Sequence, residues 1–327
     1  MSALPDTLLP LERRIEVGGL LPGEGTLAVA ADVFLPSRLR SPPAALFCLP
    51  GGAMNRRYFD LRAEGAVGEF SFAAHMTSRG FIVIALDPLG VGGSSRPRDG
   101  FELTPDVLTA ANALAVDAIR GELLAGRLTG QPLQQLQTIG VGHSMGAMLT
   151  AMQQAHQPQH AALMLFGFGT QGLPSALSPE EQSFAGDPVG ARGNVVRLAR
   201  VRSPEPYPQI GRSAQAKELF AGDSADRRGV EALQSARAGL LVTAGLFSMI
   251  PGSSLPECAQ VETPVLLAVG ERDIAGPPHQ IAASFPASPD VTLLVLRATG
   301  HCHFLFDSRT RLFERAAAWC DAILAER

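Results

Sequence analysis

Gly142-His143-Ser144-Met145-Gly146 constrains the fold of this chain more than any other stretch. An apolar run, Leu136 to Val141, leads into it, and a helix-like run, Met145 to Gln157, leads out of it. Strand, tight turn and helix in that order raise a serine on a strained backbone, with its hydroxyl clear of the sheet. The flanking glycines meet a steric demand, because side chains two positions either side of the serine would run into the neighbouring strand and helix. A helix beginning at Met145 also brings free N–H groups and a positive dipole end beside the serine oxygen. Without its surroundings, the same pentapeptide is a capping serine in a strand-to-helix turn. The surroundings decide between the two.

Apolar runs at Leu27–Leu35, Ala44–Leu49, Phe81–Leu86, Thr138–Val141, Ala161–Phe168, Pro264–Val269 and Val291–Leu296 alternate with helical patterns. The later runs are nearly continuous in apolar residues, as parallel strands covered on both faces should be. Thr104-Pro105 predicts an N-cap and a first helical residue before a run to Leu124. Leu312, Ala316, Trp319, Cys320 and Ile323 recur at helical spacing and predict one buried face. Alternation of this kind predicts an α/β fold, a mostly parallel, doubly wound sheet with helices on both faces.

The alternation lapses between about Gly169 and Val261, a stretch too long for a structureless loop. Ser178-Pro179-Glu180-Glu181 is a capping box with proline at the first helical position. A second helical pattern starts at Ser224 and grows apolar toward Leu246, Phe247, Met249 and Ile250. The expected organisation is a core of residues 1–168 and 262–327, with a helical cap inserted at 169–261.

Composition narrows the function classes. The 327 residues are 46% hydrophobic and 18% charged, which suits an ordinary globular core. A net charge of −4 argues against a nucleic-acid partner. The first residues lack the basic start and long apolar run of a secretory signal, and no apolar run is long enough to span a bilayer. Cys48, Cys258, Cys302 and Cys320 lie far apart without C-x-x-C spacing, so they read as reduced thiols of a cytoplasmic protein. Gly140-Val141-Gly142 lacks the third glycine of a dinucleotide fingerprint, and Gly90 to Gly93 lacks the Lys-Ser/Thr of a phosphate loop. No cofactor is expected.

A serine hydroxyl is a weak nucleophile until a base removes its proton. That base should be a histidine oriented by a carboxylate, each on a loop beyond a strand's C-terminal end. The run Pro264–Val269 leads into Gly270-Glu271-Arg272-Asp273, and the last strand into Gly300-His301-Cys302-His303. Asp273 and His301 are the leading candidates, with Glu271 and His303 as their competitors. An H-x-H pair also suits a metal, but no further ligand cluster accompanies it, and no metal is expected.

The order Ser144, Asp273, His301 is that of the serine members of the α/β-hydrolase superfamily, which this chain resembles. Two more turns carry the resemblance. Leu49-Pro50-Gly51-Gly52 is similar to the family's His-Gly turn, with Pro50 where histidine is usual. Asp87-Pro88-Leu89-Gly90-Val91-Gly92-Gly93-Ser94 is similar to its D-x-x-G-x-G-x-S turn, where the aspartate and glycines shape the backbone. Together the motifs span residues 49 to 303.

The resemblance implies that Ser144 attacks an acyl carbonyl, that His301 acts as base and then acid, and that Asp273 fixes the imidazole's tautomer. It implies an oxyanion hole from the N–H groups of Met145 and Gly52, or of Ala53 if the turn aligns one residue later. His143, Phe247, Met249 and Ile250 are candidate substrate contacts. The implied reaction is esterase- or lipase-like hydrolysis of a small-molecule carboxylic ester with a largely apolar acyl or alcohol group. Thioesterases, acyltransferases and C–C bond hydrolases would use the same three residues. Serine at the elbow, where haloalkane dehalogenases and epoxide hydrolases of this fold carry aspartate, argues against those two. A non-catalytic small-molecule-binding protein is the other class. His75, His156, His160 and His279 lie outside these motifs and are expected at the surface or in helices.

Overall fold

The computed structural model describes residues 9–210, 222 and 224–325. Its strands are β1 (Leu11–Val17), β2 (Leu27–Phe34), β3 (Ala44–Leu49), β4 (Ile82–Asp87), β5 (Gln137–His143), β6 (Ala162–Phe166), β7 (Val265–Gly270) and β8 (Val291–Leu296). They form one sheet in the order β1-β2-β4-β3-β5-β6-β7-β8. β2 runs antiparallel to both its neighbours and the other pairs are parallel. The described helices are α1 (Phe72–Ser78), α2 (Pro105–Leu124), α3 (Met145–His156), α4 (Pro179–Gln182), α5 (Pro188–Arg202), α6 (Arg227–Leu233), α7 (Val242–Met249), α8 (Leu255–Cys258), α9 (Pro278–Ile281) and α10 (Arg309–Ala325). This is the α/β architecture that the alternation predicts.

The sheet buries both faces, and β3 shows how. Ala45, Phe47 and Leu49 point into one apolar cluster, while Leu46 and Cys48 point into the other, as the two-residue period of a strand requires. On the first face α2 contributes Leu108, Ala111 and Ile119, and α3 contributes Met148 and Met152. On the second face α1 contributes Phe72 and Met76, and α10 contributes Leu312, Ala316, Trp319, Cys320 and Ile323. The α2 start is the predicted one, with Thr104 Oγ1 accepting from the Val107 N–H at 3.3 Å and Pro105 in the first turn.

The sequence reading contains no β1. Only Ile15 and Val17 of its seven residues are buried, so the strand carries too few apolar residues to stand out. It lies at the edge of the sheet, where charged side chains are the expected guard against unwanted pairing.

Between β6 and β7 the described helices are α4 to α8. Ser178 forms both halves of its capping box, although α4 ends at Gln182. The pattern read from Ser224 becomes α6, capped by Asp226, and then α7. Leu198 of α5 and Leu246 and Phe247 of α7 join the first-face cluster. Arg192 of α5 ties the segment to the sheet's helices, pairing with Asp106 of α2 and Glu257 of α8. No described helix is long and apolar enough to cross a membrane, and all four cysteines are free and buried.

His160 is buried rather than exposed, with its ring 5.9 Å from that of Phe47. Burial penalises the imidazolium and lowers its pKa from 6.5 to about 3. The unfolded chain therefore binds the extra proton first. His160 leaves stability intact above about pH 6.5 and removes it progressively as pH falls toward about 3. Between pH 7 and 4.5 its share of the loss is about 2–3 kcal/mol. Denaturant titrations at those two pH values should show that loss in the wild type and a clearly smaller one in His160→Gln. Equal losses would contradict it.

Candidate active site

Ser144 joins β5 to α3 with φ 53° and ψ −121°. A non-glycine residue there costs about 1–3 kcal/mol and persists only when its surroundings hold it. Here the Ser144 N–H donates to the Phe166 carbonyl at 2.8 Å. Its own carbonyl accepts from the N–H groups of Ala147 and Met148 at 2.9 and 3.1 Å. Gly142 and Gly146 are needed as the sequence suggests. A Cβ on the first would strike the Ala147 backbone, and one on the second would strike the Leu49 and Pro50 carbonyls.

The loops after β7 and β8 bring Asp273 and His301 to this serine. His301 Nε2 lies 2.9 Å from Ser144 Oγ, and His301 Nδ1 lies 2.7 Å from Asp273 Oδ1. A carboxylate only accepts, so His301 carries its proton on Nδ1 and turns the Nε2 lone pair toward the hydroxyl. Asp273 is saturated with donors. Oδ1 also accepts from the Ala275 N–H at 3.1 Å, and Oδ2 accepts from the Gly270 N–H at 3.2 Å and from His303 Nε2 at 2.7 Å. Burial alone would raise the Asp273 carboxyl, but electrostatic attraction to His301 and His303 and the hydrogen bonds they donate hold it well below the usual carboxylate range. It is an anion at neutral pH.

The competing residues make other contacts. Glu271 turns away, its carboxylate accepting from the Ala298 N–H at 2.9 Å. His303 meets Asp273 and not Ser144. Asp87 organises its own turn, accepting from the Arg56 and Gly93 N–H groups at 2.7 and 2.8 Å and pairing with the Arg56 guanidinium.

A cavity of about 50 Å³ opens beside the serine and histidine. Apart from Ser144 and His301, the side chains that shape it include Met148, Phe168, Leu173, Ser248 and Ile274. The expected substrate contacts lie outside the lining of this cavity. Phe247 and Ile250 are buried in the first-face cluster and Met249 packs against it, and none of the three lines this cavity. The α7 residue that does so is Ser248, since on a helix the neighbours of an inward apolar residue point elsewhere. His143 is likewise absent from the lining and is fully buried behind the site. Its Nε2 lies 2.9 Å from the His301 carbonyl and its ring 4.7 Å from that of Tyr58. Burial, reinforced by His301 and His303, lowers the His143 pKa well below the usual histidine value. A neutral His143 thus donates Nε2–H to His301 and braces the loop that carries it.

The turn after β3 lies against the elbow. A Cβ on Gly51 would sit 3.2 Å from Ser144 Cβ, and one on Gly52 would sit 4.0 Å from Met145 Cβ. Among the described residues, no backbone carbonyl accepts from the N–H groups of Gly52, Ala53 or Met145. Sequence reasoning missed Tyr58, Ser248 and the bond from His303 to Asp273. No spacing rule marks these, because each depends on which loop faces which.

The alpha/beta hydrolase family model matches residues 46–316. No curated protein matches the chain. Among solved structures, a thermophilic esterase from Thermogutta terrifontis is 17% identical with a TM-score of 0.60, covering 95% of this chain and 99% of its own. A peroxisomal alpha-beta-hydrolase from Saccharomyces cerevisiae is 13% identical with a TM-score of 0.62, covering 99% and 91%. A bromoperoxidase from Bacillus anthracis is 13% identical with a TM-score of 0.59, covering 96% and 100%. At such identities the likeness is one of fold. With the elbow, the eight-stranded sheet and a family match over most of its length, the chain belongs to the alpha/beta hydrolase family.

Proposed function

We propose that the protein is a serine hydrolase that cleaves a small carboxylic ester through an acyl-enzyme. The observation that carries this reading is the unbroken relay from Ser144 Oγ to His301 to Asp273, at 2.9 and 2.7 Å. Ser144 Oγ attacks the ester carbonyl as its proton passes to His301 Nε2. His301 then gives that proton to the departing alkoxide, and water repeats the sequence to free the acid. Asp273 keeps its charge throughout and stabilises the imidazolium. The tetrahedral oxyanion is received by the Met145 N–H and by that of Gly52 or Ala53, at about 3 kcal/mol per donor.

Residues 169–261 serve as the cap in this reading, supported by Gly172, Leu173 and Ser248 on the cavity wall. In this reading the acyl group enters the narrow cavity of about 50 Å³ beside Ser144. That favours a short apolar acyl group over a long chain. p-Nitrophenyl acetate and butyrate should therefore exceed the octanoate in kcat/KM by about 10- to 100-fold, the cost of forcing an oversized group into a packed site. Leu173→Ala should shift the optimum to longer acyl groups. A wild-type optimum at eight carbons or beyond would contradict the acyl-size assignment. Absence of turnover on every ester, or equal turnover by Ser144→Ala, would contradict the hydrolase reading itself.

A further inference from the structure

We propose that His303 is a positioning residue for this reaction, holding the outer oxygen of Asp273 so that the inner one stays on His301. The inference rests on the ester-hydrolase reading. It comes from an arrangement that triad chemistry alone does not require. Asp273 lies between two imidazoles, with His301 Nδ1 on Oδ1 and His303 Nε2 on Oδ2, each at 2.7 Å. The remaining donors, the Ala275 and Gly270 N–H groups, stand farther off at 3.1 and 3.2 Å.

Burial gives the second imidazole its meaning. The His303 side chain is fully buried, and its Nδ1 has no hydrogen-bond partner. An orphaned buried polar atom costs about 1–3 kcal/mol, so an apolar side chain would serve packing better at that place. What the histidine adds is one N–H donor aimed at the carboxylate. The bond requires a proton on Nε2, because an Nε2 lone pair would face the anion. Rotation of the carboxylate is then opposed from both ends. His143 extends the brace, its ring 4.8 Å from His301 and 6.0 Å from His303, with its Nε2 on the His301 carbonyl.

His303 moves no proton. The Ser144 proton stops on His301 Nε2, while His303 keeps its own and donates a hydrogen bond to a carboxylate that remains charged. Loss of that bond leaves Asp273 free to tilt, which misdirects the His301 lone pair.

Nitrogen-15 NMR of histidine-labelled wild-type protein tests the bond without any turnover, so its outcome is independent of the hydrolase reading. His303, assigned by through-bond correlation to its own backbone in the wild-type protein, should carry a protected, far-downfield proton on Nε2. A His303 proton on Nδ1 alone, with Nε2 bare, would overturn the proposal even if no variant folds. For function, His303→Ala should lower kcat about 10- to 100-fold, the scale of an ångström-level misplacement, with KM within about twofold. His303→Gln, which restores an N–H donor, should recover most of the loss. Unchanged kcat in His303→Ala, or a loss confined to KM, would overturn it.

Discussion

Asp273→Asn should lower kcat for a p-nitrophenyl ester by about 10⁴-fold, the scale seen when a triad histidine is left in the wrong tautomer. The reason lies in the donors that crowd this carboxylate. Two imidazole N–H groups and two peptide N–H groups converge on it, and none of them can accept in that arrangement. Asparagine offers one oxygen and one NH₂, so only one imidazole keeps an acceptor. If the oxygen faces His303, the amide N–H groups meet His301 Nδ1, which must give up its proton to Nε2. His301 then presents N–H to Ser144 and is no longer a base. If the oxygen faces His301, the tautomer survives, but the charge that balances the imidazolium is gone. Both outcomes slow the attack. Steady-state kinetics on folded Asp273→Asn checks this, and a loss below tenfold would contradict the role assigned to Asp273.

Gly146→Ala should cost about 3 kcal/mol or more of stability and abolish activity, although helix propensity alone argues the other way. Alanine is favoured over glycine inside a helix by about 1 kcal/mol. At Gly146 that gain is overcome, because the new Cβ would strike the Leu49 and Pro50 carbonyls. Those are backbone atoms at the end of β3, with no rotamer to yield. Relief requires α3 to move away from β3, which displaces Ser144 and the Gly51-Gly52 turn together. Gly121, in α2, is the internal control, since a Cβ there meets nothing within 4 Å. Gly121→Ala should raise the denaturation midpoint, and Gly146→Ala should lower it sharply. If both raise it, the elbow is not packed as described.

Local rules carried the sequence reading a long way. The elbow was legible because its two glycines, its serine and the change from strand to helix all fall within a few residues. Asp273 and His301 were legible because a parallel sheet delivers loop residues to one edge, so the ends of successive strands are where partners must lie. Thr104 and Ser178 announced their helix starts through cap chemistry that acts over three residues.

What escaped the sequence depends on packing between distant segments. β1 is mostly polar because it lies at an edge, so its period is faint. Phe247, Met249 and Ile250 read equally well as core or as pocket, and only the rotation of α7 places Ser248 on the cavity instead. His143 stands next to the serine in sequence yet points behind it, toward the His301 carbonyl. His303 competed with His301 for one role, and the structure gives it a different place on the same carboxylate.

The central claim is that Ser144 is a nucleophile activated by His301. Intact-mass and peptide analysis after incubation with a fluorophosphonate tests it most directly, because the probe reports nucleophilic attack without requiring the natural substrate. One phosphonyl adduct on the peptide that carries Ser144 is expected, absent from Ser144→Ala and slowed by orders of magnitude in His301→Ala. A folded wild-type protein that stays unlabelled, or an adduct on another residue that persists in Ser144→Ala, would contradict it.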